Sequence, residues 1–327
     1  MTFTHWFRAA VAAVLAAVLC GGVAAQPVAF PNKPIKFILP FGPGSGTDLI
    51  ARIIGDEMTR IGGQPVIIDY KPGANGFIAA EATKNSAPDG YTVMIGGGTT
   101  HSINPLIFKK LPYDPDKDLP PLSGMILAYY TLLVNKDLPV NTVQELIAWL
   151  KANSQKASYA WGASISRFIS AGFLDRIGVT NAVSVPYKSS PQTVTDLIGG
   201  QFTFTILDIT SALAHIKAGR VKSLAVTAPH RIAALADIPT MAEAGLPGFT
   251  GSTYVGMFGV GGTPEPMIQA MNELVQKALA TASVKDKLTA CCSAVTHQTS
   301  PQGYLDYIIK DRASWAEKMA LAGVKPE

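Results

Sequence analysis

The sequence predicts an α/β protein of two lobes, each built on a doubly wound sheet, with a ligand cleft between them. Three observations predict it. Apolar runs of strand length end repeatedly in glycine-rich loops that open helices. The pattern resets near residue 157, and one further strand followed by helices closes the chain. In an open parallel sheet such loops gather at the carboxyl edge of the strands, where ligands bind.

Taken in order, residues 35–41 form a short apolar run that reads as a buried strand. It stops at Gly42-Pro43-Gly44-Ser45-Gly46. A helix over 48–61 follows, with Leu49, Ile53, Ile54 and Met58 at helical spacing and Gly62-Gly63 as its stop. Residues 66–70 give the next strand, Pro72-Gly73-Ala74-Asn75-Gly76 a second glycine loop, and 77–84 a helix. Asp89-Gly90 turns into a strand over 91–95, and Gly96-Gly97-Gly98-Thr99-Thr100 opens another helix. A proline-rich connection (111–121) leads to two strand-like runs, 124–128 and 131–135. Thr142-Val-Gln-Glu145 is then a capping box at the head of an apolar helix face of Val143, Leu146, Ile147 and Leu150.

The second set begins with a strand over 157–161, a small-residue loop Gly162-Ala163-Ser164-Ile165-Ser166, and a helix over 168–177. A strand over 183–186 and a helix from Ser190-Pro191 to Gly199-Gly200 follow. Runs 202–207 and 223–227 complete a second parallel set. After Ile238-Pro239-Thr240, residues 254–260 give one more strand. Thr263-Pro264 and Ser300-Pro301 cap two closing helices, the last with Leu305, Ile308, Ile309, Trp315 and Met319 on one side. The second set is therefore inserted between the start and the end of the first. That implies two lobes joined by two crossings: residues 26–127 with 250–327, and 128–249.

The first residues point to export. Arg8 precedes an apolar core over 9–19, and Val23-Ala24-Ala25 supplies small residues for cleavage before Gln26, so residues 1–25 are expected to be a cleaved signal peptide and the mature chain periplasmic. A membrane anchor would need about 20 apolar residues, and this stretch ends earlier, in Gly21-Gly22. A lipidated Cys20 is disfavoured by the bulk of Leu19 before it. The formal charge of +4 falls to +3 with Arg8 removed, because residues 1–25 hold no other charged side chain. With no basic run, nucleic acid is not an expected partner. Cys291 and Cys292 are left; adjacent cysteines can close a vicinal disulfide, and ordinary helix packing is the favoured reading.

The chemistry centres on two loops. A strand, a glycine loop and a helix set unpaired backbone N–H groups at a helix N-terminus, a site suited to an anion. The loop Phe41, Gly44, Ser45, Gly46, Thr47 and Asp48 holds no Lys, Arg, Cys or His, so it looks built to hold an anion with main-chain dipoles; an ordinary tight turn is the competing reading. It lacks the Lys of a P-loop and misses the spacing of a nucleophile elbow. Asp48 falls in the first helical turn, placed to pair with Arg52. In the other lobe, Trp161, Ala163, Ser164, Ser166 and Arg167 stand at another strand-to-helix junction. There the hydroxyls and N–H groups are candidates to clamp a carboxylate, Arg167 is a second anionic anchor or a solvated helix-end charge, and Trp161 is a flat wall or a packed indole. Asp208 ends a strand at the same edge and can accept from a ligand hydroxyl, amine or water. Ala74, Asn75, Thr99 and Thr100 are added because their glycine loops share that edge. Each histidine reads first as a surface or core residue; only His101 follows a glycine loop and so could reach the cleft, none has metal-ligand spacing, and no serine has an identifiable His partner. No catalytic residue, metal or cofactor is expected.

The quoted motifs then fall into a family. Phe30-Pro-Asn-Lys-Pro-Ile35 and Pro40-Phe-Gly-Pro-Gly-Ser-Gly-Thr-Asp48 with Ala51-Arg52 resemble the opening of the Bug-type extracytoplasmic solute receptors, the binding components of tripartite tricarboxylate transporters. Lys71-Pro-Gly-Ala-Asn-Gly76, Asp89-Gly-Tyr-Thr92, Leu111-Pro-Tyr-Asp-Pro115, Val185-Pro-Tyr-Lys188, His215-Ile-Lys-Ala-Gly219, Ile238-Pro-Thr240 and Glu243-Ala-Gly-Leu-Pro247 extend the likeness through the mature chain. The resemblance implies a type II periplasmic-binding fold, a monomer that captures a small carboxylate without chemistry, hinges near residues 128 and 249, and meets the membrane subunits of a transporter. It also implies that loops 41–48 and 161–166 face each other across the ligand. Where the family's second loop reads Ser-Ala-Gly-x-Gly-Ser with a His a few residues on, this chain has Trp161-Gly-Ala-Ser-Ile-Ser166 and Ile169. Trp161 and Ile165 are expected to narrow the pocket and favour a flat or apolar-bodied dicarboxylate, an aromatic diacid such as terephthalate first and an aliphatic one second. A periplasmic sensory receptor for the same ligands and, more remotely, a secreted hydrolase are the alternatives.

Overall fold

The computed structural model describes residues 30–292 and 295–321. The expected signal peptide lies outside the described residues.

The first lobe grows around β1 (Ile35–Leu39), which is paired in parallel with β2 (Val66–Tyr70) and β3 (Thr92–Gly97). Beyond the exposed Lys36 its residues are apolar on both faces because both are covered: Phe37 and Leu39 face α1 (Gly46–Gly62), while Ile38 packs with Tyr254 and Phe258. Ser45 caps α1 by accepting from the Asp48 N–H (3.2 Å), and Gly63, at φ 71°, closes it. Helix α2 (Phe77–Lys84) returns the chain from β2 to β3. Beyond β3 a π-helical turn (Thr99–Ile103) runs into the short α3 (Asn104–Ile107).

The chain then enters β4, Pro121–Asn135, fifteen residues long. Two runs were expected here, and the structure joins them into one strand with two sets of partners. Up to Tyr129 it lies antiparallel to β9 (Ser252–Phe258), which in turn lies antiparallel to β3. From Tyr130 it lies antiparallel to β7 (Phe204–Asp208) on one side, and from Thr131 to β8 (Val221–Val226) on the other. Strand β7 continues in parallel to β5 (Ser158–Trp161) and on to β6 (Val183–Pro186). The expected second parallel set is thus interrupted: β8 does not join β5–β7 but flanks β4 from the opposite side. Helices α4 (Val143–Ala152), α5 (Ser164–Ile177), α6 (Ser190–Ile198) and α7 (Ile209–Lys217) belong to this second lobe. Thr142 caps α4 by accepting from the Glu145 N–H (3.1 Å), while Glu145 reaches one residue further back than in a standard box, to the Asn141 N–H (2.6 Å).

The chain closes with α8 (Glu265–Ala280), α9 (Ala282–Cys292), the short β10 (Val295–Thr296) on β4, and α10 (Pro301–Leu321). Helix α9 was not among the expected elements. Cys291 within it is disulfide-bonded, against the packing-only expectation; the side chain of Cys292 lies outside the described residues. Helix α10 is a third connection between the lobes. Its Tyr304 and Ile308 pack in the first lobe with Ile38 and Phe258, and its Trp315 and Met319 pack in the second with Phe173 and Ile169. Ile309 does not share that side: it falls one helical step past Ile308 and is exposed.

Helix α10 lies close to the sheet at Gly256 of β9, which stands in register between Gly96 and Gly124. A Cβ on Gly256 would stand 2.0 Å from the Tyr304 hydroxyl, which is fully buried. Gly256→Ala is therefore expected to destabilise the protein by about 2 kcal/mol or more through overpacking, read as a lower urea midpoint at unchanged m. An unaltered midpoint would show that α10 gives way at no cost.

Candidate functional site

The strand ends of the two lobes face each other. On the first lobe the loop after β1 is held from behind by Asp48. Its Oδ2 accepts from the Gly44 N–H (2.8 Å), and its Oδ1 accepts from Arg52 Nε (2.9 Å) and the Tyr70 hydroxyl (2.6 Å). The Arg52 guanidinium also donates to the Tyr70 hydroxyl. The charge of Asp48 raises the Arg52 pKa, and burial, then Asp48, raises that of Tyr70. Gly44 itself has φ 79°, a conformation open to glycine, and this turn aims the first residues of α1 outward. Among the described residues the N–H groups of Gly46 and Thr47 find no backbone acceptor, as expected for the first turn of a helix. Beside them Gly97 ends β3 so close to β9 that a Cβ would stand 1.9 Å from the Tyr254 carbonyl oxygen.

On the second lobe α5 begins at Ser164, four residues before the expected start at 168, with Ala163 at the cap position and no side-chain cap. Ser166 donates its hydroxyl to the Ile206 carbonyl and is buried, so it ties α5 to β7 as well as facing the cleft. Ser164 donates instead to Asn75 Oδ1 of the opposite lobe (3.0 Å). Asp208 caps α7, its Oδ1 accepting from the Ser211 N–H (2.9 Å).

Between these edges lies a cavity of about 70 Å³. Of the residues singled out in the sequence, Phe41, Ser45, Gly46, Thr47, Thr99, Thr100, Ala163, Ser166 and Asp208 line it. Gly44, Asp48, Ala74, Asn75, Trp161, Ser164 and Arg167 do not. Gly44 and Asp48 shape the loop from behind, and Ala74 and Asn75 form a left-handed turn (φ 46° and 51°) outside the wall. Trp161 donates its indole N–H to Ser184 of β6 (2.9 Å), and the Arg167 guanidinium lies over its ring (5.5 Å) and over Phe168 (5.7 Å). The indole is thus no wall of this cavity; Ile165 is.

The lining also includes residues that sequence reasoning missed. Ser190 and Thr210 begin α6 and α7, and the rule that strand carboxyl ends gather at the site points to both. Tyr130, Thr253 and Tyr254 come from the strands that pass between the lobes, and their inward direction depends on pairing that no local pattern carries. Tyr130 sits opposite Asp208 across the β4–β7 ladder; burial first, then the Asp208 charge, raises its pKa, so it stays a protonated donor. Among the described lining residues there is no Lys, Arg or His, and Asp208 is the charged one. The positive end of the site is therefore made of first-turn N–H groups of α1 and α5, reinforced by the starts of α6 and α7. No group of three metal-ligating side chains occurs among the described residues.

His101, which its glycine loop places where it could reach the cleft, is a buried core residue. Its ring stacks on Phe258 (3.5 Å between centroids), and its Nε2 donates to the Leu119 carbonyl (3.3 Å). Its Nδ1 lies 2.9 Å from the hydroxyl of Thr100. Burial pushes the His101 pKa down to about 3. Above pH 6.5 the ring is neutral folded and unfolded, and it has no effect. Below that the unfolded chain takes up a proton that the folded chain refuses, so stability falls as pH drops from about 6.5 toward 3. In His101→Gln the stability-versus-pH curve is expected to lose a slope of up to about 1.4 kcal/mol per pH unit over that window. Parallel curves for the two proteins would rule out a buried neutral His101.

The same architecture recurs in known proteins. Residues 50–319 match the family described as "TctC: Tripartite tricarboxylate transporter family receptor". The structure of the periplasmic binding protein BugD superposes with a TM-score of 0.86 at 27% identity, covering 91% of this chain and 100% of that one. Rpa4515 of R. palustris, solved with adipate, gives 0.88 at 30% identity, over 91% of this chain and 100% of that one. MatC of Rhodopseudomonas palustris, solved with bound malate, gives 0.82 at 29% identity, over 88% and 99%. With two lobes, a cleft of main-chain dipoles and a family match over most of its length, the chain belongs to the tripartite tricarboxylate transporter receptor family, as a Bug-type solute-binding receptor and not an enzyme.

Proposed function

We propose that this receptor captures a small dicarboxylate in the cavity between its lobes and presents the closed form to the membrane subunits of a tripartite transporter. The observation that carries the reading is the lining itself: several helix N-termini and hydroxyls converge on one cavity with no cationic side chain. Such a wall favours an anion that keeps its charge and leaves again, because the dipoles hold it without a full counter-ion. Export to the periplasm behind a cleaved leader, action as a monomer, and hinging near residues 128 and 249 belong to the same proposal. Its support is that β4 changes partners after Tyr129 and β9 begins at Ser252. The relatives solved with adipate and malate make diacids the natural first class. Within that class an aliphatic diacid now comes before terephthalate, since Trp161, the flat surface that recommended an aromatic body, packs on Ser184 and Arg167.

A thermal-shift screen of succinate, malate, adipate, citrate, benzoate and terephthalate, followed by calorimetry, tests this reading, because a ligand that binds the native state raises the apparent melting temperature. A diacid is expected to give the largest shift. Binding of an uncharged or cationic solute with no response to any acid would overturn it.

A second test uses Gly46. A Cβ there would stand 2.7 Å from Asp208 Oδ1 and 3.1 Å from Thr210 Cβ, both on the other lobe. Within its own helix alanine is favourable. Gly46→Ala is therefore expected to keep or slightly raise thermal stability while weakening the best acid about 10-fold or more, the cost of overpacking in the closed state alone. Equal affinity in calorimetry would mean that ligand binding does not bring α1 against Asp208.

A further inference from the structure

Asn75 and Ser164 are hydrogen-bonded to each other across the cleft, 89 positions apart, and neither lines the cavity. We propose that they form a latch, a positioning pair that holds the lobes at closing distance and so sets ligand affinity without touching the ligand. The proposal rests on the reading of the cavity as a ligand site.

Each half of the pair is tied to its own jaw. Asn75 occupies the left-handed region (φ 51°, ψ 30°), which asparagine tolerates better than most residues. Its carbonyl accepts from Asn104 Nδ2 (2.9 Å), and Asn104 is fully buried. The same amide nitrogen donates to the Tyr113 hydroxyl (3.3 Å), which donates to the Thr100 carbonyl (2.7 Å), and Thr100 lines the cavity. Gly76 packs against the same residue: a Cβ there would stand 2.7 Å from Thr100 Cγ2. On the other lobe Ser164 is the first residue of α5 and is buried; the next two, Ile165 and Ser166, are cavity wall. One bond therefore links the cavity-lining turn after β3 to the cavity-lining start of α5. Its hydroxyl serves the opposite lobe and not its own helix end, where the cap residue, Ala163, has no side chain to offer.

A bond made only when the lobes are together favours the closed state whether or not ligand is present. The closed fraction of the empty receptor then sets how much of the intrinsic affinity is realised. Asn75→Gly keeps the left-handed turn and drops the acceptor; Ser164→Ala drops the donor.

The test is a mutant cycle with two readouts on the full chain. Spin labels at Glu81→Cys on α2 and Gln192→Cys on α6, both exposed positions, report the distance between lobes without ligand. Calorimetry with adipate reports affinity. Asn75→Gly, Ser164→Ala and the double variant are expected to lengthen the ligand-free distance equally. They are also expected to weaken adipate about 5-fold each, with no further loss in the double. Ligand-free distances that match the parent in all three variants would overturn the latch. So would single-variant losses that multiply in the double, the mark of two separate ligand contacts. If the parent binds no acid at all, the ligand reading fails, and the distance measurement still decides the latch.

Discussion

One strand holds the molecule to its shape. β4 is hydrogen-bonded into both sheets, to β9 through Tyr129 and to β7 and β8 beyond it. Pairing along a continuous backbone fixes the direction of every strand that follows it. With β1 and β3 reaching the cleft from one side and β5 and β7 from the other, the glycine loops and helix starts of both lobes meet at the middle of β4. The site is thus a consequence of topology before any side chain is considered. Helix α10 adds a packed strap from Tyr304 to Trp315 that spans the same divide. Any relative motion of the lobes would have to bend a shared strand and slide a helix end.

The electrostatics of the cavity follow from that convergence. Helix starts are partial positive charges fixed in direction, and they need no reorganisation when an anion arrives. A lysine in their place would bring a full charge, and with it a desolvation cost when the cleft closes. The protein keeps its full charges one layer back. Asp48, Arg52 and Tyr70 form a closed network under the first loop, where they set the direction of Gly44 and leave the N–H groups of Gly46 and Thr47 outward. Asp208 is the exception. It adds negative charge to a cavity otherwise lined by helix-start N–H groups and hydroxyls, and its Oδ1 accepts from the Ser211 N–H.

Much of this was legible in the sequence because it is local. The strand–glycine–helix rhythm, the Thr142 capping box and the bounds of α2 all arise from period, cap chemistry and stop residues within a few positions. The loop from Phe41 to Asp48 could be read as a helix N-terminus without a lysine, and it stands at the cavity. What was not legible is non-local. The lobe boundary expected at 127/128 falls beside Tyr129-Tyr130, but nothing there names β9 and β7 as the partners that β4 exchanges, because a change of partner leaves the alternation of side chains intact. Trp161 ends a four-residue strand, too short for its pattern to tell the cleft from the face of β6 that carries Ser184. His101 follows a glycine loop as a cleft residue should, yet the π turn places Thr100 at the wall and sends the imidazole onto Phe258.

The approach of the two lobes depends on what is missing as much as on what bonds. Gly46 lies against Asp208 and Thr210, and Gly98 lies against Ile165, each at a distance a Cβ would violate or crowd. Glycine at these points lets two backbones approach until one small acid can touch both helix starts. Larger residues would hold the lobes apart, and the dipoles would then act across water, where they are weak. The Ser164–Asn75 bond sits beside this contact and needs the same approach to form. Steric permission from the glycines, one neutral hydrogen bond and the ligand's own charge thus act on a single coordinate, the separation of the lobes. Affinity is the sum of their effects on it, so residues that never meet the ligand can tune how tightly it is held.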